Sequence, residues 1–309
     1  DEYYYVPDTG TIYGIDPTYN VCTTSPQTSG SILYLGNGNT QTINSLSTDS
    51  TVNMDIGAGS TLTITSGALQ FGRAGTIGMT PSVAGTLNFG PAEGVIWTLF
   101  ESTVGPNKIG SVITGSGGLT MAGNNELILT AVNTYTGKTC VGSGIMTVGN
   151  GSLTTSKLGD GDVEVAAGGT LRIKSNVSNA ILDSATVSLG NNGNVFFGML
   201  DLESGINESV GGLILNGITQ PAGTYGSSAS AATYKLDNYF SGTGVLTVTG
   251  QVLFVDAGSE ATITLPTNTV NLDATVLDAG LPPAPGTLIE WSVRSGPAAV
   301  TFGNVHAID

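Results

Sequence analysis

The chain has 309 residues, 46 of them Gly, and charged residues make up only 10% of it against the usual ~25%. Eight Lys and Arg against 23 Asp and Glu leave a formal charge of −15, which repels a phosphate backbone and argues against nucleic acid as a partner. Gly costs roughly 1 kcal/mol relative to Ala inside a helix, so a helical enzyme is excluded, while an apolar share of 39% suffices for a core and excludes a disordered linker.

At the start, Asp1 follows neither an initiator Met nor a basic-then-apolar leader, and reads as the end left by a removed signal peptide or as a boundary. Residues 1–30 are expected to form an arm or cap. Within them Asp1-Glu2-Tyr3-Tyr4-Tyr5-Val6-Pro7 has high β propensity and carries three consecutive tyrosines. Such a strand docks either on the first coil of its own chain or on a neighbouring molecule, which makes Tyr3, Tyr4, Tyr5 and Val6 assembly candidates. The two cysteines, Cys22 and Cys140, are disulfide candidates for an oxidising compartment, or two thiols that never meet.

From about Ser31 to Gly250 a loose unit repeats: a short alternating apolar stretch, a Gly, Asn or Ser corner, then another stretch. Thr61-Leu62-Thr63-Ile64-Thr65, Gly85-Thr86-Leu87-Asn88-Phe89, Asp162-Val163-Glu164-Val165 and Thr186-Val187-Ser188-Leu189 are examples. Alternation at period 2 gives each strand one dry and one wet face. Strands of about four residues recurring roughly every 20 residues suit one coil of a β-solenoid better than a sandwich. At ~20 residues per coil, residues 31–250 give ~11 coils and a rod roughly 50 Å long. Gly and Asn supply the corners because they tolerate positive φ. Apolar runs such as Val95-Ile96-Trp97-Thr98-Leu99-Phe100 fall far short of the ~18 residues a spanning helix needs, so no transmembrane helix is expected.

Three stretches carry a resemblance. They are Gly115-Ser116-Gly117-Gly118-Leu119-Thr120-Met121, the run Leu127 to Thr139 with Asn133-Thr134-Tyr135-Thr136-Gly137 inside it, and Gly144-Ile145-Met146-Thr147-Val148-Gly149. Together they resemble the autotransporter-associated β-strand repeat, with its Gly-Gly-Leu opening, Leu-x-Leu strand and Asn-Thr-Tyr-Thr-Gly corner. Val163 to Leu171 is similar to its next coil, and Ala222-Gly223-Thr224-Tyr225-Gly226 with Tyr239 to Val248 to its closing segment. Cys140 departs from the pattern, where Thr or Val is usual, as does Asn125-Glu126, where Gly-Thr is usual. The resemblance implies a secreted, surface-displayed bacterial β-helical passenger whose motif carries no catalytic residue. No outer-membrane barrel follows within the chain, which argues against the autotransporter export route.

After Gly250 the pattern changes. Thr262-Ile263-Thr264-Leu265-Pro266, Val270 to Val276, Leu288-Ile289-Glu290-Trp291-Ser292-Val293 and Val300-Thr301-Phe302 resemble the first half of a polycystic-kidney-disease-type immunoglobulin-like domain. Trp291 would then be the core Trp of a middle strand. Residues 251–309 fall short of the ~90–100 such a sandwich needs, so the segment is expected to be incomplete or completed by strand addition from another chain. Trp291, Val300 and Phe302 are therefore further assembly candidates. The fold expected overall is all-β: a β-solenoid rod followed by an incomplete immunoglobulin-like β-sandwich.

Catalysis finds little support. The one histidine, His306, lies beyond the expected last strand, Cys140 has no partner His, and no G-x-x-x-x-G-K-[ST] loop occurs. Asp160, Asp162 and Glu164 lie close together in sequence, with Arg172 and Lys174 about half a coil later, the mix that polysaccharide-processing β-helices place on one sheet. Gly159-Asp160-Gly161-Asp162 is also the one candidate Ca²⁺ corner of the rod, with Asp256, Asp273 and Asp278 as loop acids after it. No other cofactor is expected. Asn150, Asn176 and Asn207 head N-x-[ST] sequons.

Two functions fit. One is a non-enzymatic extracellular or cell-surface structural protein that self-associates into a homo-oligomeric fibre, since stacked coils expose ladder groups at both ends unless capped. The other is a carbohydrate-binding adhesin or polysaccharide-processing module of a larger secreted protein, with surface glycans as partners. Exposed aromatic platforms would favour the second, and Tyr135, Tyr225, Tyr234 and Tyr239 are the candidates.

Overall fold

A computed structural model describes residues 3–6, 11–23, 32–48, 53–78, 85–99, 105–193, 195–250, 253–256 and 275–278. The described residues are all-β, with no helix, and most of their strands run parallel in a β-helix-like arrangement. The largest sheet takes, in spatial order, Tyr3–Val6, Asn20–Thr23, Ser45–Thr48, Ala68–Phe71, Gly94–Thr98, Leu119–Gly123, Thr139–Val141, Val163–Val165, Thr186–Leu189 and Gly212–Leu215, and ends on Ile218–Thr219. A second sheet runs from Ile32–Leu35 to Phe240–Gly242. A third, of four strands, stacks Thr40–Ile43, Thr61–Ile64, Thr86–Asn88 and Val112–Thr114.

Sequence pattern dictates this stacking directly. In the largest sheet Val21, Leu46, Leu69, Ile96, Met121, Val141, Val165, Leu189 and Leu215 follow one another in register, and each is buried. The second sheet has its own row, Leu33, Met54, Ile77, Ile109, Leu129, Val148, Ile173 and Leu202. Both rows point into one continuous aliphatic core. Burying a side chain of this size is worth about 1.5–3 kcal/mol, so each added coil contributes through its own members of each row.

One expectation is revised. Coil length varies, from 17 residues between Tyr3 and Asn20 to 40 between Leu200 and Phe240, where ~20 was expected. The stack also starts before Ser31. Tyr3–Val6 pairs in parallel with Asn20–Thr23 of its own chain, so the tyrosine strand serves as an intramolecular cap. Of the last segment, the described residues are one antiparallel pair, Leu253–Asp256 with Thr275–Asp278. Trp291, Val300 and Phe302, like His306, lie outside the described residues, as does most of the expected immunoglobulin-like segment.

The third face is where the backbone ladder runs short of strands, and buried polar side chains take over. Gln41 accepts from Ile15 N at 3.2 Å and donates to Ile15 O at 2.8 Å, closing the third sheet at its start. Asn133 accepts from Ile113 N at 2.9 Å and donates to Lys157 O at 2.8 Å, joining the sheet's last strand to the next coil. Glu208, 1% exposed, accepts from Ala180 N at 3.1 Å and Ile181 N at 2.7 Å. Each amide or carboxylate satisfies backbone groups that would otherwise be buried unpaired, a loss of about 1–3 kcal/mol apiece.

Burial pushes the Glu208 carboxyl up to about 7, against the pull of its two N–H donors. The folded chain therefore holds this proton more tightly than the unfolded chain, where the group titrates near 4.5. Its stabilisation is complete below about 4.5 and is lost as the pH rises through about 7. Thermal unfolding followed by circular dichroism should show a higher melting temperature at pH 5 than at pH 8. Glu208→Gln should flatten that dependence, which amounts to on the order of 3 kcal/mol.

Candidate functional site

Parallel stacking also lines up the side chains that point outward. On the second sheet, Thr76, Lys108, Ile128, Thr147, Arg172 and Asp201 follow one another in register, one per strand. The neighbouring row carries Gly78, Gly110, Thr130, Gly149 and Lys174. Three of its members are glycines, so the surface dips there. A Cβ on Gly110 would lie 2.2 Å from the carbonyl oxygen of Gly78, so the bare backbone is imposed by the stacking itself. The result is a groove of about 510 Å³, lined by the first row from Thr76 to Arg172 and by the second, together with Glu126 and Asn150.

Charge is concentrated here. Of the eight Lys and Arg in the chain, Lys108, Arg172 and Lys174 line this one groove, against the single acid Glu126. Arg172 is held rigidly: its Nε donates to Asp201 at 2.7 Å and its Nη1 to Glu126 at 3.3 Å. Glu126 also accepts from the Thr147 hydroxyl at 2.6 Å. Lys174 Nζ donates to Glu203 at 2.5 Å, and Ser175 N to the same carboxylate at 3.0 Å. Burial pushes Glu203 up, but these two donors outweigh it and hold its carboxyl below the usual range. Lys108 is exposed and has no ion-pair partner among the described residues.

The acidic and basic groups that sequence placed together are separated by the fold. Asp160 takes Lys157 Nζ at 2.7 Å, Asp162 accepts from Thr186 N at 2.7 Å, and Glu164 pairs with Lys138. Arg172 and Lys174 instead meet Glu126, Asp201 and Glu203, acids of other coils. Gly161 of the candidate Ca²⁺ corner sits where a Cβ would be 2.2 Å from Gly137 O. Its two acids thus turn to separate partners, and no group of three or more His, Cys, Asp or Glu comes together among the described residues.

Aromatic candidates divide. Tyr135 and Tyr225 are 1% exposed and unable to stack on a ligand. Tyr135 donates or accepts at 2.7 Å with the Thr139 hydroxyl, and Tyr225 donates to Pro221 O at 2.7 Å. Tyr234 stacks on Tyr225 at 4.8 Å, and Tyr239 meets Phe197 edge-on at 5.1 Å, so both help close the end of the stack. Among the exposed aromatics that sequence reading passed over is Trp97, 47% exposed between Val95 and Leu99 on the outer face of the largest sheet. Both faces of that strand are apolar, so alternation alone did not say which one points out.

Cys22 and Cys140 lie on the second and seventh strands of the largest sheet, five strand spacings or roughly 24 Å apart. A disulfide needs Cα atoms within about 7 Å, so Cys22 and Cys140 of one chain do not bridge each other. Burial, with the Glu164 carboxylate nearby, pushes the Cys140 thiol up, so less of it is thiolate at neutral pH.

No family model, no curated protein and no solved structure matches this chain. Mass spectrometry of non-reduced digests of the purified monomer should show no peptide pair linked through Cys22 and Cys140, and such a pair would contradict the separation of their strands.

Proposed function

We propose that this chain is a β-solenoid module of an extracellular or cell-surface protein, and that it works without catalysis by holding a linear carbohydrate along the groove of its second sheet. It would be of the autotransporter-associated repeat type, followed by an immunoglobulin-like segment. The groove carries this reading. It runs along the direction of stacking, as a linear chain would, and it mixes hydroxyl, amide and charged groups with the apolar Ile128. Donors and acceptors set at successive strands suit a polymer whose hydroxyl groups also repeat.

The rival fibre needs open ladder ends. At the start, Ile12 N donates to Tyr34 O at 2.9 Å and Gln41 holds Ile15, which covers the second and third sheets. At the far end of the largest sheet, Ile218–Thr219 folds back antiparallel on Gly212–Leu215. Asn216 and Gly217 between them both have positive φ, as a two-residue hairpin turn requires. What favours assembly is the outer edge of Tyr3–Val6, where Tyr4 and Tyr5 are exposed. Joined start to start, two copies would make a two-fold contact that closes and does not propagate.

Negative-stain images of the purified protein should show discrete particles, single or paired, and a glycan array should give signal with linear glycans. Continuous filaments without glycan signal would favour the fibre and overturn the binding reading.

A further inference from the structure

The groove gathers cations on an acidic chain. On a chain of net charge −15, its lining holds three cations and one acid. Lys108 and Arg172 stand in the same outward row, three strand spacings or roughly 14 Å apart, with Ile128 and Thr147 between them. Lys174 lies in the next row of the Arg172 strand's end. Arg172 uses Nε and Nη1 on Asp201 and Glu126, and those carboxylates aim the guanidinium while its Nη2 donors remain for a ligand. Lys174 commits one of its three N–H donors to Glu203. Lys108 commits none to an ion pair among the described residues. The groove is therefore rich in donors and short of acceptors. A neutral sugar, whose hydroxyls both donate and accept, does not call for that imbalance; a sugar bearing carboxylates does.

We infer that the ligand of this groove is an acidic polysaccharide of the uronate type, with one carboxylate on Lys108 and another on Arg172 and Lys174. This rests on the groove being a carbohydrate site, and adds the class of sugar. A polynucleotide fits less well. Single-stranded nucleic acid is held largely by stacking its bases on aromatic side chains, and the lining of this groove has none.

Titration calorimetry at low salt tests this with three probes of similar length: an oligogalacturonate, a neutral galacto-oligosaccharide and a single-stranded DNA oligonucleotide. The oligogalacturonate should bind, weaken as salt is raised, and bind at least tenfold more tightly than the neutral sugar. Lys108→Gln, at an exposed side chain without an ion pair, should weaken it about tenfold. Arg172→Gln should weaken it further in protein whose circular dichroism is unchanged, and Trp97→Ala, on the other sheet, should leave it as it was. Equal binding of both sugars, or oligogalacturonate binding unmoved by Lys108→Gln, overturns the uronate assignment while leaving a carbohydrate groove. Binding of neither sugar overturns both. Tighter binding of the DNA overturns the choice of polymer.

Discussion

Everything in this molecule depends on one repeat distance, the ~4.8 Å between parallel strands of successive coils. Backbone N–H and C=O groups pair only if each coil lies flat on the one before it, and side chains then stack in rows whether they point in or out. The inward rows must be apolar and fill a narrow space, which Leu, Ile, Val and Met do from Val21 to Leu215. The corners must let one backbone approach another. A Cβ on Gly137 would be 2.3 Å from Gly118 N, and one on Gly161 would be 2.2 Å from Gly137 O. Part of the glycine excess thus answers to close approach between coils, and another part to positive φ, as at Gly217.

The same constraint explains the buried polar groups. Where a coil does not supply a strand to the third face, its neighbours still present N–H and C=O groups to be paired. Gln41, Asn133 and Glu208 each do this with a side chain. The Asn-Thr-Tyr-Thr-Gly corner acquires physical content in this way. Asn133 bridges two coils, Thr134 N donates to Ile113 O at 3.0 Å, Tyr135 fills the core, and Gly137 admits the next backbone. The groove follows from the outward rows in turn, so fold and site share one register. A slip of a single residue would bury Lys108 and Arg172 and expose Ile109 and Ile173.

Much of the fold was legible because period-2 alternation with Gly corners leaves few alternatives. The strands around Leu62, Leu87, Val163 and Val187 lie where alternation placed them. The candidate site was far less legible. Arg172 meets Asp201 and Glu126 only because of the lengths of the intervening coils, and those vary with no local signal to announce them. Sequence proximity therefore grouped Arg172 with Asp160, Asp162 and Glu164, which the fold turns toward other partners. The hairpin that closes the largest sheet is written as Asn216-Gly217, a local signal that a search for repeating corners passes over. Trp97 was hidden because its strand is apolar on both faces.

The parallel register is tested most directly through a cysteine the chain already has. Thr120 and Cys140 are register partners on the largest sheet, about 4.8 Å apart and within reach of a disulfide, whereas Ala122 lies two residues further along, at roughly 8 Å. Under mild oxidation, Thr120→Cys should form an intramolecular bond to Cys140, detected by mass spectrometry of non-reduced digests, and Ala122→Cys should not. A bond in the Ala122→Cys protein but not in the Thr120→Cys protein would contradict the register, and with it the rows from which core and groove are built.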